Sequence, residues 1–305
     1  MHHTKFPFLV ATLLVVACST DPDPTENNTH NDVGVDAVFD TDTGGDFDTD
    51  AGESDNSDAD SGADADADGP PAPEPWDCDP DFPLDAERYV HLEETTGSEL
   101  STELFLLVDD QFNRGYGNVR DLLFNQLEVR DDGLIECVYT GRRVEPDGTR
   151  TPDGFNTEHT WPRSRGASQE PELSDLHHLF PVDAVANNER ANFEFGHVSC
   201  NESTCPWHEG GSFLGPSADD NRDPIFEVRP QRRGDIARAI LYYSIRYGAD
   251  VSSDEEAVLR QWNCEDPPDQ HERTRNSNIE QVQSNRNPFI DRPDFVDRID
   301  EFRNF

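Results

Sequence analysis

The chain has 305 residues, and its 65 Asp and Glu residues against 24 Lys and Arg residues give a net charge of −41. Residues 1–72 carry about −16 of this charge and the rest about −25. A protein this acidic repels phosphates. It therefore cannot bind nucleic acid through a broad basic surface. Any phosphate chemistry would therefore depend on a metal ion or on a local cluster of arginines, since Lys5 is the only lysine.

The N-terminus has the features of an export signal. Lys5 precedes an apolar run at residues 6–17, which is too short to span a membrane, so residues 1–17 are predicted to be a signal peptide. Small residues before Cys18 resemble a bacterial lipobox, in which the cysteine is lipidated and anchors the protein to the membrane. Plain secretion after cleavage near Ala17 is the alternative.

Residues 18–75 are predicted to form a disordered acidic linker. Asp, Gly, Ala, Thr and Ser dominate this segment, which lacks the large apolar residues needed to offset the entropy of folding. Self-repulsion would make it an extended tether for a folded domain at residues 76–305, which we expect to act as a monomer. Calcium binding by pairs such as Asp40 and Asp42 is the weaker alternative, because no loop has the full spacing of an EF-hand.

The cysteines are consistent with an exported protein that contains disulfides. Five remain after Cys18, so one thiol is expected to stay free. Cys200 and Cys205 are close enough in sequence to pair, and the pattern does not decide among the other three. These are Cys78, Cys137 and Cys264. A competing zinc site has a plausible ligand spacing. Its ligands would be His197, Cys200, Cys205 and His208.

From residue 76 onward, the patterning predicts an α+β domain that is mostly helical. Strands are expected at residues 133–141, at about 155–159 and at about 178–182, and Asp183 is expected to cap a helix that runs to about Asn192. Further helices are predicted within residues 86–108 and at 119–127, 233–248 and 254–262, with a tail of loop and one short helix. The helix at 233–248 has an amphipathic pattern, and its aromatic residues are expected to pack in the core.

Two dense runs of polar residues contain the candidate catalytic and metal-binding residues. The first, at residues 155–162, places Glu158 beside His159 at a strand end, and the second contains His177 and His178. Imidazole titrates near neutral pH and is suited to activate a water molecule. The Glu158 carboxylate and the Asn187 amide oxygen would suit a hard cation, with Asn188 or Asn192 as alternatives to Asn187. His177 and His178 are expected to position the core, with direct metal ligation as the alternative.

Several motifs in one order resemble the bacterial endonuclease I family. They are Glu-His-Thr-Trp-Pro at 158–162, Asp-Leu-His-His-Leu-Phe-Pro at 175–181 and the asparagine-rich run at 187–193, and the resemblance extends over about residues 131–290. It implies a ββα-metal (His-Me finger) core within the helical domain. It also implies an exported nuclease that cuts DNA, RNA or both with little sequence preference.

The resemblance also assigns roles to individual residues. His159 falls at the family's general base, and Glu158 and Asn187 fall at the protein ligands of Mg²⁺, with Ca²⁺ or Mn²⁺ as alternatives. Arg163 and Arg165 are the nearest candidates for the arginine that stabilises the phosphate. Arg190 is expected to form a salt bridge to the core, with phosphate contact as the alternative. The rival function is an inactive, surface-anchored metal-binding or adhesion protein of the same fold.

Overall fold

The computed structural model describes residues 85, 87–218 and 224–303. The predicted signal peptide, Cys18, the predicted linker at 18–75 and Cys78 all lie outside these residues. In the part described, helices and small antiparallel sheets pack around one core, which confirms an α+β fold that is mostly helical. No helix among these residues is both long and apolar enough to cross a membrane.

Helices supply most of the regular structure between residues 85 and 303. They are α1 (Gly97–Val108), α2 (Tyr116–Leu122), α3 (Ala184–Arg190), α4 (Arg233–Tyr247), α5 (Ser253–Glu265), α6 (Gln270–Gln283), α7 (Pro288–Asp291) and α8 (Phe295–Arg298). Side-chain caps begin several of them: Ser252 accepts from the N–H of Glu255, and Asp269 from that of Glu272. Gly248 ends α4 in the left-handed conformation with φ 64°, as the sequence predicts.

The strands form three small antiparallel sheets. They are β1 (Ile135–Glu136), β2 (Arg143–Val144), β3 (Phe155–His159), β4 (Leu179–Asp183), β5 (Trp207–Glu209), β6 (Ser212–Gly215) and β7 (Ile225–Glu227). β1 pairs with β2, β3 with β4, and β6 lies between β5 and β7. In the β3–β4 pair, Phe155 lies opposite Asp183 and His159 opposite Leu179. The predicted strand at 133–141 is mostly turn, because only β1 pairs there.

Helix α4 lies at the centre of the core and packs against α1, α5 and α7. Its aromatic residues are core residues, as expected: Tyr243 stacks on Trp161 with ring centroids 5.1 Å apart. The polar residues of this amphipathic pattern do not face solvent, because residues 234–246 are all buried. Arg238 is fully buried and pairs with Glu272 of α6 at 2.6 Å, which offsets the cost of burying both charges.

The sequence pattern does not predict α6. Residues 270–283 contain few apolar side chains, and the expected tail was loop with one short helix. The structure buries polar residues of α6 instead: Arg275 donates to the carbonyls of Leu176 and Leu179, and Asn276 donates to that of Asn287. Only Ile279 and Val282 add apolar contacts to the core, so this helix has too little hydrophobic periodicity to detect.

The cysteine predictions are partly confirmed. Cys200 and Cys205 form a disulfide with their Cα atoms 5.1 Å apart, so the competing zinc site is wrong because both thiolates are consumed. Gly215 faces this bridge, and a Cβ there would overlap the sulfur of Cys200. Cys264 is also disulfide-bonded, and the free thiol in the described residues is the buried Cys137.

Candidate active site

Two antiparallel strands and the following helix build the candidate site. β3 ends at His159, and β4 leads directly into α3 because Asp183 caps that helix, accepting a hydrogen bond of 2.8 Å from Val185. α3 packs against β3, where the Asn187 amide nitrogen donates to Asn156 Oδ1 at 2.7 Å. The helix therefore places Asn187 beside the strand that carries Glu158 and His159.

A cleft of about 580 Å³ opens over this arrangement. Four of the five site residues predicted from the sequence line it, and they are Glu158, His159, Arg163 and Asn187. Adjacent side chains within a strand point to opposite faces of a sheet. Because β3 ends at His159, Glu158 and His159 can both line the cleft.

His159 is held in one tautomer by a backbone group. Its Nε2 lies 3.2 Å from the carbonyl oxygen of Leu173, which can only accept, so the neutral ring carries its proton on Nε2 and a lone pair on Nδ1. Burial is the main cause that lowers the pKa of His159 to about 3, and the charges of Arg163 and Arg120 lower it further. The ring is therefore neutral near pH 7 and keeps its lone pair on Nδ1.

Glu158 is buried and tied to the core through one of its two oxygens. Oε1 accepts a hydrogen bond of 2.7 Å from the Tyr139 hydroxyl and pairs with Arg190 at 3.2 Å. Burial raises the pKa of this carboxyl, and the Arg190 charge opposes that rise. Among the described residues, Oε2 accepts no hydrogen bond from a protein donor.

The donor set around Glu158 fits a hard divalent cation. The Asn187 nitrogen donates to Asn156 Oδ1 and more weakly to the carbonyl of Thr157, which leaves Asn187 Oδ1 uncommitted. One carboxylate oxygen and one amide oxygen on the same cleft are ligands of the type that Mg²⁺ and Ca²⁺ prefer. No group of three or more His, Cys, Asp or Glu side chains suited to a metal occurs in the described residues.

Arg190 forms the predicted salt bridge between helix and core. It is 1% exposed, and besides pairing with Glu158 it donates to the carbonyl of Thr160 at 2.6 Å. Its guanidinium carbon lies 4.6 Å from the centroid of the Phe195 ring. Arg190, which also lines the cleft, thus fixes the Glu158 carboxylate and the end of β3.

The two arginines proposed for phosphate contact have separate positions. Arg163 is exposed and lines the cleft. Arg165 is not among the lining residues; its guanidinium lies over the Trp161 ring at 4.4 Å and 3.8 Å from carboxylate oxygens of Glu194 and Glu255. Of the pair, Arg163 has access to a ligand in the cleft.

Helix α2 contributes cleft residues that the sequence pattern did not predict. Tyr116 lies with its ring centroid 5.5 Å from that of His159, and Arg120 donates to the Thr157 hydroxyl at 3.2 Å. The predicted helix started at Val119, three residues late, which removed Tyr116 from it. With the correct start, Tyr116 and Arg120 have the four-residue spacing that places two side chains on one helical face.

His177 and His178 support the site from within the core. His177 Nε2 lies 3.2 Å from the carbonyl oxygen of Asn285, and His178 Nε2 lies 2.7 Å from that of Glu172. Both rings are buried, and the His178 ring centroid is 5.5 Å from that of His159. This agrees with the expectation that they position the core.

The buried His177 is expected to make stability fall in acid. Burial lowers its pKa to about 4, whereas an unfolded histidine has a pKa of about 6.5, so between these values the unfolded chain takes up a proton that the folded chain does not. The free energy of unfolding should therefore drop by roughly 3 kcal/mol as the pH falls from 6.5 to 4. Urea unfolding across this range measures the effect, and His177→Gln should flatten the pH dependence. Equal slopes for the two proteins would contradict this assignment.

Comparison with known proteins identifies the class to which this cleft belongs, an enzyme that hydrolyses nucleic acids. The model of the family described as Endonuclease I matches residues 96–294 and so includes the whole cleft. The chain belongs to the endonuclease I family.

Curated relatives cover different shares of the chain. It is 31% identical over 234 residues to an extracellular ribonuclease of Bacillus subtilis (strain 168), covering 69% of this chain and 77% of the relative. An extracellular ribonuclease of Bacillus amyloliquefaciens is 30% identical, and the match covers 67% of this chain and 74% of the relative. An extracellular deoxyribonuclease of Aeromonas hydrophila is 31% identical over 121 residues, which cover 39% of this chain and 49% of the relative. The similar proteins thus include enzymes named for RNA and for DNA.

Proposed function

We propose that this protein is an exported, metal-dependent endonuclease that cuts DNA, RNA or both with little sequence preference. In this proposal, β3, β4 and α3 form the ββα-metal core, and His159 is the general base. One observation carries it: a neutral imidazole with its Nδ1 lone pair unused shares a cleft with uncommitted oxygens of Glu158 and Asn187. The inactive alternative has less support, because each of these groups is present.

The metal ion would be held by Glu158 and Asn187. A divalent cation held by these two residues would supply positive charge beside the phosphate and the leaving oxygen. Mg²⁺ is the proposed ion, with Ca²⁺ or Mn²⁺ as alternatives. Arg190 keeps the Glu158 carboxylate fixed, so the protein presents a negatively charged oxygen at a defined place.

His159 would take a proton from the attacking water. As the water oxygen bonds to phosphorus and the bond from phosphorus to the leaving oxygen breaks, the water proton passes to Nδ1 of His159. The Leu173 carbonyl keeps the other ring proton on Nε2 throughout. Arg163 and Arg120 would offset the negative charge on the phosphate from the rim of the cleft.

The proposed location is outside the cytoplasm. The relatives above carry the names extracellular ribonuclease and extracellular deoxyribonuclease, and a 30% identical Aeromonas hydrophila relative is named a periplasmic deoxyribonuclease. These names support the export signal predicted at residues 1–17. Anchoring through a lipid on Cys18, with residues 18–75 as a tether, is the form of export that we propose.

Cleavage assays with and without metal test this function. The purified protein is incubated with plasmid DNA and with RNA, in Mg²⁺, Ca²⁺, Mn²⁺ or EDTA. We expect cleavage of at least one substrate with a divalent cation and none in EDTA. Full activity in EDTA, or no cleavage with any of the three ions, would refute the proposal.

Replacing Asn187 is expected to weaken metal binding specifically. Asn187→Ala removes one of two protein oxygens, so the Mg²⁺ concentration for half-maximal cleavage should rise about tenfold or more. Asn188→Ala is the matched control, since this neighbouring amide on α3 is exposed and does not line the cleft. Titration of cleavage rate against Mg²⁺ distinguishes the two variants. Equal Mg²⁺ requirements would exclude Asn187 as a ligand.

A further inference from the structure

The segment at residues 112–116 forms an ordered edge that leads into the cleft. The Phe112 N–H donates to the carbonyl of Gln283 at 2.8 Å, and Arg114 Nε donates to that of Val282 at 2.8 Å. Tyr116, at the inner end, is fixed by a hydrogen bond of 3.1 Å from its N–H to Glu170. The edge is therefore attached to the body of the domain at both ends.

Aromatic and arginine side chains alternate along this edge. Phe112 is 57% exposed, and the Arg114 guanidinium lies 4.8 Å from its ring centroid. Tyr116 follows inside the cleft, and Arg120 lies 5.4 Å from the Tyr116 ring centroid. We call Phe112, Arg114, Tyr116 and Arg120 the aromatic–arginine edge.

The charges of this edge are left without acidic partners. Most described arginines form ion pairs; Arg150, for example, binds both oxygens of Asp121 at 2.7 Å. By contrast, Arg114, Arg120 and Arg163 have no carboxylate partner among the described residues, although the chain has 65 acidic residues. Such unpaired guanidinium groups beside the cleft are available to an anion.

The exposed ring of Phe112 adds an apolar, planar surface to these cations. Phe112 and Tyr116 are four residues apart, so at most about 14 Å of backbone separates them. This is short enough for both to contact nucleotides of one strand. Aromatic rings combined with arginines along one path are the usual means of binding unpaired nucleic acid, in which bases stack on rings and phosphates meet cations.

We propose that the aromatic–arginine edge is a subsite for a single-stranded segment of nucleic acid that feeds the scissile phosphate into the cleft. The inference rests on the proposed function, because it takes the cleft at His159 as the place of cleavage. Bases in a duplex are already stacked on each other and have no face to offer Phe112. The enzyme therefore acts preferentially on unpaired or frayed strands, whichever sugar they contain.

Variants of Phe112 test whether bases of a single strand stack on its ring. Cleavage is measured on end-labelled oligothymidine and oligouridine and on a duplex of the same length. Phe112→Leu keeps an apolar side chain but no ring, and should raise KM for both single strands about 5- to 100-fold with kcat little changed. Phe112→Trp should keep the wild-type KM. Phe105→Leu, which changes an exposed phenylalanine on α1, should have no effect.

The salt dependence of binding tests whether Arg114 contacts a phosphate of the bound strand. Arg114→Gln should reduce the slope of log affinity against log salt concentration by about 1, because one phosphate contact is lost. Arg88→Gln is the control, since that exposed arginine pairs with Asp85 and Glu280. An unchanged slope for Arg114→Gln would overturn the predicted phosphate contact.

Binding measured without cleavage separates this inference from the proposed function. Fluorescence anisotropy of a labelled oligothymidine in EDTA reports the subsite even if no substrate is cut. If the wild-type protein cleaves but Phe112→Leu binds and cleaves single strands normally, only the subsite is refuted. Equal losses on single strands and on duplex would also refute it. If no metal supports cleavage while Phe112→Leu still weakens binding, the edge remains a binding site for single strands and the proposed function fails.

Discussion

His159→Ala is expected to lower the cleavage rate by roughly 10²- to 10⁴-fold, the usual contribution of a general base. The substitution removes the Nδ1 lone pair and leaves Glu158 and Asn187 in place, so kcat should fall more than the metal requirement changes. The measurement is initial rates on plasmid and RNA at saturating Mg²⁺. Because the wild-type pKa of His159 is about 3, its base form persists through pH 8 to 5, and its titration should not reduce the rate in that range.

Two controls distinguish a lost base from a damaged fold. His208→Ala changes an exposed histidine on β5 that does not line the cleft, and it should retain wild-type activity. Added imidazole should partly restore cleavage by His159→Ala, because the cleft of about 580 Å³ admits a small base. Undiminished cutting by His159→Ala would end the assignment.

Arg190→Leu is expected to have the largest effect on stability of any change in the site. It would leave the Glu158 carboxylate 1% exposed and without its ion-pair partner, which typically costs about 3–5 kcal/mol. The hydrogen bond to the Thr160 carbonyl would also be lost. Denaturant unfolding measures the change. The pKa of Glu158, already raised by burial, should rise further once the positive charge is gone.

A second substitution separates stability from chemistry. In the double variant Glu158→Gln with Arg190→Leu, no charge is buried alone, so much of the lost stability should return while activity stays low. Arg143→Leu, which breaks an ion pair with Asp132 at a more exposed place, should cost far less than Arg190→Leu. A similar loss for Arg143→Leu and Arg190→Leu would contradict the buried-charge explanation.

The elements that local chemistry determines agree with their sequence patterns. Asp183 predicts the start of α3 because a side-chain cap acts within a few residues, and Gly248 predicts the end of α4 for the same reason. The sequence pattern does not predict α6 because most of its core contacts are hydrogen bonds, such as those from Arg275 and Asn276 to distant carbonyls. Such contacts depend on the tertiary fold and leave no periodic signal.

The residues of the candidate site likewise include some that the sequence predicts and some that only the tertiary fold brings together. Glu158, His159 and Asn187 are recognisable from dense motifs, and the structure brings them to one cleft. Tyr116 and Arg120 come from a helix about 40 residues earlier, and only packing against β3 places them there. The sequence does not show which of Arg163 and Arg165 reaches the cleft. That difference arises because Glu194 and Glu255 lie beside Arg165 in the folded protein.

The hydrogen bond from His159 to the Leu173 carbonyl has a consequence for mutational tolerance. In a catalytic triad, an acidic side chain orients the histidine, so one codon change can remove the orienting group. Every amino acid, proline included, supplies a main-chain carbonyl. No substitution at position 173 therefore deletes the acceptor, and the orientation of the base is lost only if the backbone at 172–174 shifts. Random mutagenesis should consequently find position 173 far more permissive than position 159.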